Sequence, residues 1–295
     1  MLLKFSWFIS LMLVFLFRLL SHLPLSILHA IGVIAGQLVY RGSGSYRARL
    51  KENLARAGFG AQLPAAIRES GKNIFELPFI WCAPPDKVLA TARIEGWSIV
   101  EEMIAQKNGI IFLTPHLGCF EIIAQVIASR MPLTALYRPP RQSVLKPLME
   151  GARRRFNLHL APTNLRGVRV LLKTLKGGGA VGLLPDQVPQ NGEGVWADFF
   201  GKPAYTMTLP AKLQQMTNAP IVLSYAERLP HGAGFVVRFV VFETHRTADL
   251  QQRTASINSA METLIAHCPS QYFWGYNRYK IPAGVTPPSL HETSP

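Results

Sequence analysis

The sequence predicts an α/β fold, a layered domain with a mostly parallel sheet, preceded by an N-terminal membrane-anchor helix. Three observations carry this expectation. Short apolar runs alternate with amphipathic stretches along the body of the chain, the pattern of strands alternating with helices. The first 40 residues hold two apolar runs, and the 295-residue chain is 48% hydrophobic but only 16% charged, where soluble domains carry about 25%. A chain of this length builds one large domain or two small ones and buries a core without disulfides or metals. The apolar content excludes disorder, and the lack of hydrophobic spans after residue 40 excludes a polytopic membrane protein.

Residues 2–20 contain only Lys4 and Arg18 as charges, both near the ends, where long cationic side chains reach an interface. Nineteen helical residues extend about 28 Å, close to the roughly 30 Å of a bilayer core. No Ala-x-Ala cleavage pattern follows, so an uncleaved anchor over residues 1–21 is expected in preference to a signal peptide. Residues 19–40 form a second uncharged run interrupted by Pro24. A helix starting at that proline and packed on the domain or the membrane fits better than another span. Residues 22–281 are expected as the domain and 282–295, rich in proline and polar residues, as a loose tail.

Within the domain, 45–57 and 64–81 read as helices split by Gly58-Phe59-Gly60, and 97–106 as a helix ending at Asn108-Gly109. Residues 110–114 suit a buried strand, followed by a helix to about 130. Strand 133–137 closes at Pro139-Pro140, helices follow at 143–156 and 165–176 with a short strand 158–161 between them, and 180–184 is a third buried strand ended by Pro185. A long loop is expected over 186–205 and a helix over 207–217. A hairpin over 221–228 and 235–242 comes next, and a last helix over 248–267. Gly177-Gly178-Gly179-Ala180-Val181-Gly182 fits Gly-x-Gly-x-x-Gly but precedes a strand, so it reads as a turn and not a nucleotide loop.

The net charge of +14 is localised. Residues 41–72 carry seven cations against Glu52 and Glu69, and residues 138–176 carry ten against Glu150 alone. Such a field attracts an anionic partner or is a solvated helix face. With no nucleic-acid recognition module and an anchor in front, nucleic acid is not expected. The first basic stretch, directly after the apolar runs, predicts a cytoplasmic body by the positive-inside bias. Three widely spaced cysteines, Cys82, Cys119 and Cys268, agree with a reducing compartment.

The segment Thr114-Pro115-His116-Leu117-Gly118-Cys119-Phe120-Glu121 follows the strand at 110–114, and open α/β sheets bind ligands at such strand ends. His116 and Glu121 are five positions apart, about 140° around a helix, so one continuous helix does not join them. With His116 on the loop and Glu121 in the next helix, a turn at Gly118 brings them together. A carboxylate on one ring nitrogen makes the other a general base. A helix-capping Glu and a hydrogen-bonded loop His are the plain alternatives. No Gly-x-Ser-x-Gly elbow, His-Glu-x-x-His helix or Walker A loop is present, and no metal or cofactor is expected.

An apolar N-terminus followed by His-x-x-x-x-Glu resembles the late acyltransferases of lipid A biosynthesis, the lauroyl/myristoyl transferase family. The resemblance runs to about Lys280. It includes Arg47 with Asn53-Leu54, the block at 114–121, Tyr137-Arg138-Pro139, Arg153-Arg154-Arg155, Pro185-Asp186-Gln187 and Phe199-Phe200-Gly201. The closing Gln271-Tyr272-Phe273-Trp274 with Arg278 and Lys280 completes it, while Asn277 stands where many members have His. It implies an enzyme, a membrane O-acyltransferase of the bacterial inner membrane with its catalytic domain on the cytoplasmic side. Its donor is an acyl-acyl carrier protein or acyl-CoA, and its acceptor a phosphorylated, Kdo-bearing lipid A precursor.

On that reading His116 deprotonates the acceptor hydroxyl and Glu121 orients His116. The backbone near Gly118 and Arg153 or Arg138 hold the oxyanion, arginines including Arg155 bind phosphate, and Asp186 and Gln187 line the site or form a strand-ending turn. A covalent acyl-Cys119 route is the minor alternative. The rival acceptors are another glycolipid or a glycerophospholipid, and the rival class is a non-catalytic membrane scaffold.

Overall fold

The computed structural model describes residues 12–137, 146–243 and 248–288. The chain opens with helix α1, residues 12–20, then α2 (Leu25–Gly42), α3 (Gly44–Arg56) and α4 (Leu63–Phe75). Residues 1–11 of the expected anchor lie outside the described residues. Pro24 sits immediately before α2, where a fixed φ and a missing N–H fit a helix start. By length and mean hydropathy, α2 is the one described helix able to cross a membrane, although 28% of it is buried against the protein. Its inward face carries His29, Gly32 and Gly36. The two glycines bring α2 and α4 into backbone contact, since a Cβ on Gly71 would lie 1.8 Å from the Gly32 carbonyl oxygen. Its other side leaves Ile27, Ile34, Leu38 and Val39 exposed, and α1 exposes Met12, Phe15, Leu16 and Leu19.

The run expected as one helix over 64–81 is two, α4 and α5 (Leu77–Cys82), with Glu76 at the break. Pro78 explains it: the ring has no N–H to give and collides with the carbonyl four residues back. After a short α6 (Pro85–Leu89) come β1 (Ala92–Glu95), α7 (Trp97–Ala105), β2 (Ile110–Leu113), α8 (Phe120–Ala128) and β3 (Leu133–Tyr137). Then follow α9 (Lys146–Arg153), β4 (Leu158–Pro162), α10 (Leu165–Lys176) and β5 (Ala180–Leu183). The expected loop over 186–205 instead contains most of an antiparallel hairpin, β6 (Gly194–Phe199) and β7 (Lys202–Met207). Its turn is carried by Phe200 and Gly201, both with positive φ. The chain continues through α11 (Leu209–Thr217), β8 (Ile221–Arg228), β9 (Phe235–Phe242) and α12 (Leu250–His267).

Seven strands form one sheet in the order β1-β9-β8-β2-β5-β3-β4, with β8–β9 its antiparallel pair and every other neighbour parallel. The expected mostly parallel α/β sheet is therefore present. Strand β2 is buried on both faces. Ile111 and Leu113 join a core with Leu171 and Leu175 of α10, Leu213 of α11 and Ile257 of α12. Ile110 and Phe112 join a second core on the other face with Val100 of α7, Ile123 of α8, Leu25 of α2 and, at its margin, Phe17 of α1. This period-2 alternation explains why the strand reads as an unbroken apolar run. The sheet thus separates the N-terminal apolar helix α1 from α10.

Candidate active site

His116 stands on the loop at the C-terminal end of β2, beside the C-terminal end of β5, because the two strands pair in parallel with Leu113 opposite Leu183. Asp186, three residues past Leu183, therefore meets His116. Its Oδ1 lies 2.7 Å from His116 Nδ1, and its Oδ2 accepts the His116 backbone N–H at 2.8 Å. The carboxylate is 2% exposed. Burial alone would raise its pKa, but the charge of His116 and the hydrogen bonds from its ring and backbone hold it below the usual carboxylate range. Facing a carboxylate, Nδ1 carries the proton and Nε2 presents its lone pair. Gln187 Nε2 sits 3.1 Å from that nitrogen and donates to it. Phe120 packs edge-on against the imidazole with centroids 4.7 Å apart, and Phe273 lies at 6.3 Å.

Both ring nitrogens of His116 are thus engaged by Asp186 and Gln187, so the expected Glu121–His116 pairing is replaced by Asp186–His116. Glu121 lies in the first turn of α8 and accepts from the Trp81 indole N–H at 3.0 Å. Trp81 stacks on Phe17 of α1, with centroids 5.9 Å apart. The guanidinium of Arg155 is half-buried and donates to the backbone carbonyls of Ile80 and Trp81, at 3.3 and 2.6 Å. Arg155 therefore braces the end of α5 that presents Trp81 to Glu121. Arg138 and the side chain of Arg153 lie outside the described residues.

Gly118 forms the turn between His116 and α8. Its φ is +59°, and a Cβ there would fall 1.8 Å from the Ala226 carbonyl oxygen, so only glycine fits the turn. Its N–H donates to the Gln271 carbonyl, and the Cys119 N–H to that of Ala226. Those two donors are engaged within the protein and are not available to an oxyanion. The Cys119 thiol is buried, and burial together with the nearby Glu76 carboxylate pushes its pKa well up. It keeps its proton at neutral pH, which disfavours a covalent route.

Beneath the loop lies a group of charges that the sequence reading missed. Arg228, at the end of β8, binds Glu76 through two parallel hydrogen bonds of 2.6 Å and Glu69 through one of 2.7 Å. His29 of α2 approaches the same Glu76 carboxylate at 3.2 Å. The backbone of Arg228 exchanges hydrogen bonds with the Gln271 side chain, 2.7 and 2.9 Å, and Gln271 in turn holds Gly118. The C-terminal segment completes the frame: Leu117 bridges Tyr272, the Phe273 N–H donates to the His116 carbonyl, and Asn53 of α3 donates to the carbonyls of Trp274 and Tyr276. Buried Arg278 anchors the hairpin through Tyr205 and Thr206. A signal for the charge group was present in the helix-breaking Glu76-Leu77-Pro78 and in a charge closing the apolar β8 run.

No group of His, Cys, Asp and Glu among the described residues could hold a metal ion. The arrangement suits proton transfer at Nε2 of a histidine whose other nitrogen is fixed by a buried carboxylate.

Residues 2–281 match the sequence model of the bacterial lipid A biosynthesis acyltransferases. The chain is 26% identical to a lipid A biosynthesis lauroyltransferase of Escherichia coli (strain K12) over 218 residues, 73% of this chain and 71% of the relative. It is 25% identical to the palmitoleoyltransferase of that organism over 216 residues, 72% and 70% of the two chains. To its lipid A biosynthesis myristoyltransferase it is 27% identical over 197 residues, 64% and 59%.

Proposed function

The chain belongs to the bacterial lipid A biosynthesis acyltransferase family, and from that premise we propose that His116 and Asp186 carry out direct acyl transfer from an acyl carrier thioester to a hydroxyl of a phosphorylated, Kdo-bearing lipid A precursor. The observation carrying this reading is the His116 ring, with Nδ1 bound to buried Asp186 and Nε2 turned toward Gln187.

In the reaction the acceptor hydroxyl displaces the Gln187 amide from Nε2 and gives its proton to that nitrogen. The oxygen attacks the thioester carbonyl, the new C–O bond forms, and the C–S bond breaks. The departing thiolate then takes the proton back from Nε2, so His116 ends as it began. Asp186 stabilises the transient imidazolium without becoming protonated. Glu121, held by Trp81, lines the acceptor side next to α1. The exposed apolar faces of α1 and α2 support a membrane location in which the lipid chains of the acceptor approach along Phe15 and Leu19 of α1. The cytoplasmic leaflet of the bacterial inner membrane is the side that the basic residues after Tyr40 favour.

Purified protein supplied with an acyl carrier thioester and the Kdo-bearing precursor should add one acyl mass to the glycolipid, read by mass spectrometry. His116→Ala and Asp186→Asn should each lower turnover about 100-fold or more, with melting temperatures close to that of the parent. Alanine at His116 with near-normal turnover would refute the assignment. Faster transfer to a glycerophospholipid than to the Kdo-bearing precursor would redirect it to another acceptor.

A further inference from the structure

Helix α10 presents four cations, Arg166, Arg169, Lys173 and Lys176, all exposed. At 100° per residue they fall within an arc of about 80°, and exposed Val170 and Leu165 flank that arc, 40% and 78% accessible. None of the four cations makes an ion pair among the described residues, and the sequence contains no acid between Glu150 and Asp186. The opposite side of the helix is fixed, with Leu171 and Leu175 in the core and the Asn164 side chain capping the Gly167 N–H at 3.1 Å. The result is a rigid basic stripe bordered on both sides by apolar side chains.

Its place in the fold narrows the partner. α10 begins just past the C-terminal end of β4, whose Pro162 is level with Tyr137 of β3. The order β4-β3-β5-β2 then puts three strand spacings, roughly 14 Å, between that end and the loop bearing His116. The helix packs on the sheet face opposite the one that receives α1, so the apolar N-terminal helix and the basic stripe look away from each other. A membrane held by α1 does not cover α10; a soluble macromolecule can.

We infer that the outer face of α10 docks an acidic carrier protein, whose carboxylates pair with Arg166, Arg169, Lys173 and Lys176 while Leu165 and Val170 supply apolar contact. The carrier's thioester arm then reaches across the strand ends to His116. The inference deepens the proposed function, on which the identity of the delivered group rests.

The test compares wild-type protein with the triple variant Arg166→Glu, Arg169→Glu, Lys173→Glu and the milder Arg166→Gln, Arg169→Gln. Binding of fluorescently labelled acyl carrier protein is read by anisotropy, and transfer is measured from acyl carrier protein and from the same chain on pantetheine, a small neutral donor. The charge reversals should weaken carrier binding at least tenfold and lower kcat/KM for the carrier donor to match, with the rate from acyl-pantetheine unchanged. The glutamine pair should show a smaller loss of the same kind. Equal carrier binding by wild type and variants would overturn the docking surface. So would a raised KM for the glycolipid alone, which would assign the stripe to acceptor phosphates, or lost sedimentation with anionic vesicles at unchanged carrier affinity. A wild-type protein that binds carrier through α10 yet transfers from neither donor would remove the proposed reaction and leave the docking surface standing.

Discussion

Arg228 and Arg169 bear the same charge and have opposite surroundings. Arg228 is almost wholly buried, with all three guanidinium nitrogens on the carboxylates of Glu76 and Glu69; Arg169 faces solvent on α10 with no carboxylate partner among the described residues. A guanidinium removed from water is tolerated only when its hydrogen bonds are made inside. Saturated in this way, it fixes the geometry of its neighbours: Gln271, and through it Gly118 and the turn that carries His116. A cation left in water without a partner fixes nothing within the molecule and acts on what approaches it. The cations of this chain therefore divide into those that fix the geometry of the His116 loop and those that stand in solvent.

That contrast can be broken most directly at Arg228. Arg228→Ala leaves Glu76 buried without its main partner and should cost about 3–5 kcal/mol of stability, measured by urea denaturation in detergent; a loss below about 1 kcal/mol would erase the distinction between the two regions. Gly118→Ala comes next. A methyl group beside the Ala226 carbonyl and a non-glycine residue at φ +59° should cost about 1–3 kcal/mol, and the shift of the loop should reduce kcat more than it raises KM in steady-state assays.

A pH series sharpens the comparison further. Glu76 is buried, which alone would raise its pKa, yet Arg228 and His29 hold it below the usual value, and Asp186 is lowered likewise. Near and below pH 4 the unfolded chain takes up protons that these folded carboxylates refuse, so stability is present above the unfolded pKa values and declines as pH falls through the folded ones. The acid-side slope of stability against pH should flatten in Glu76→Gln. The smallest effect is expected on α10, where Arg169→Ala should change stability by no more than about 0.5 kcal/mol under the same denaturation protocol.

The sheet was largely legible because its strands are short, apolar and bounded by turns: 133–137, 221–228 and 235–242 coincide with β3, β8 and β9. Helix α10 was equally plain, since its buried and charged residues alternate at helical spacing. The β6–β7 hairpin was not legible. Its residues, from Gly194-Val195-Trp196 to Ala204-Tyr205, mix glycine, proline and aromatics, and the pairing depends on tertiary contacts such as Asn258 donating to the Asp198 carbonyl. At the site, the local spacing of His116 and Glu121 was visible. The pairing that formed joins residues 70 positions apart, and only the parallel register of β2 and β5 brings them together. Sequence spacing reports neighbours along a helix and is blind to neighbours across a sheet.

The segment from Gln271 to Trp274 has a consequence for how the molecule is made. The residues that pin the His116 loop lie beyond every strand of the sheet in chain order and are synthesised after all of them. Until they arrive, Gly118 and the His116 carbonyl lack their backbone partners and the loop has no lid of Tyr272 and Phe273. A chain folded only through β9 therefore holds its sheet but not the set geometry of the His116 loop, whose ordering waits on residues 271–274.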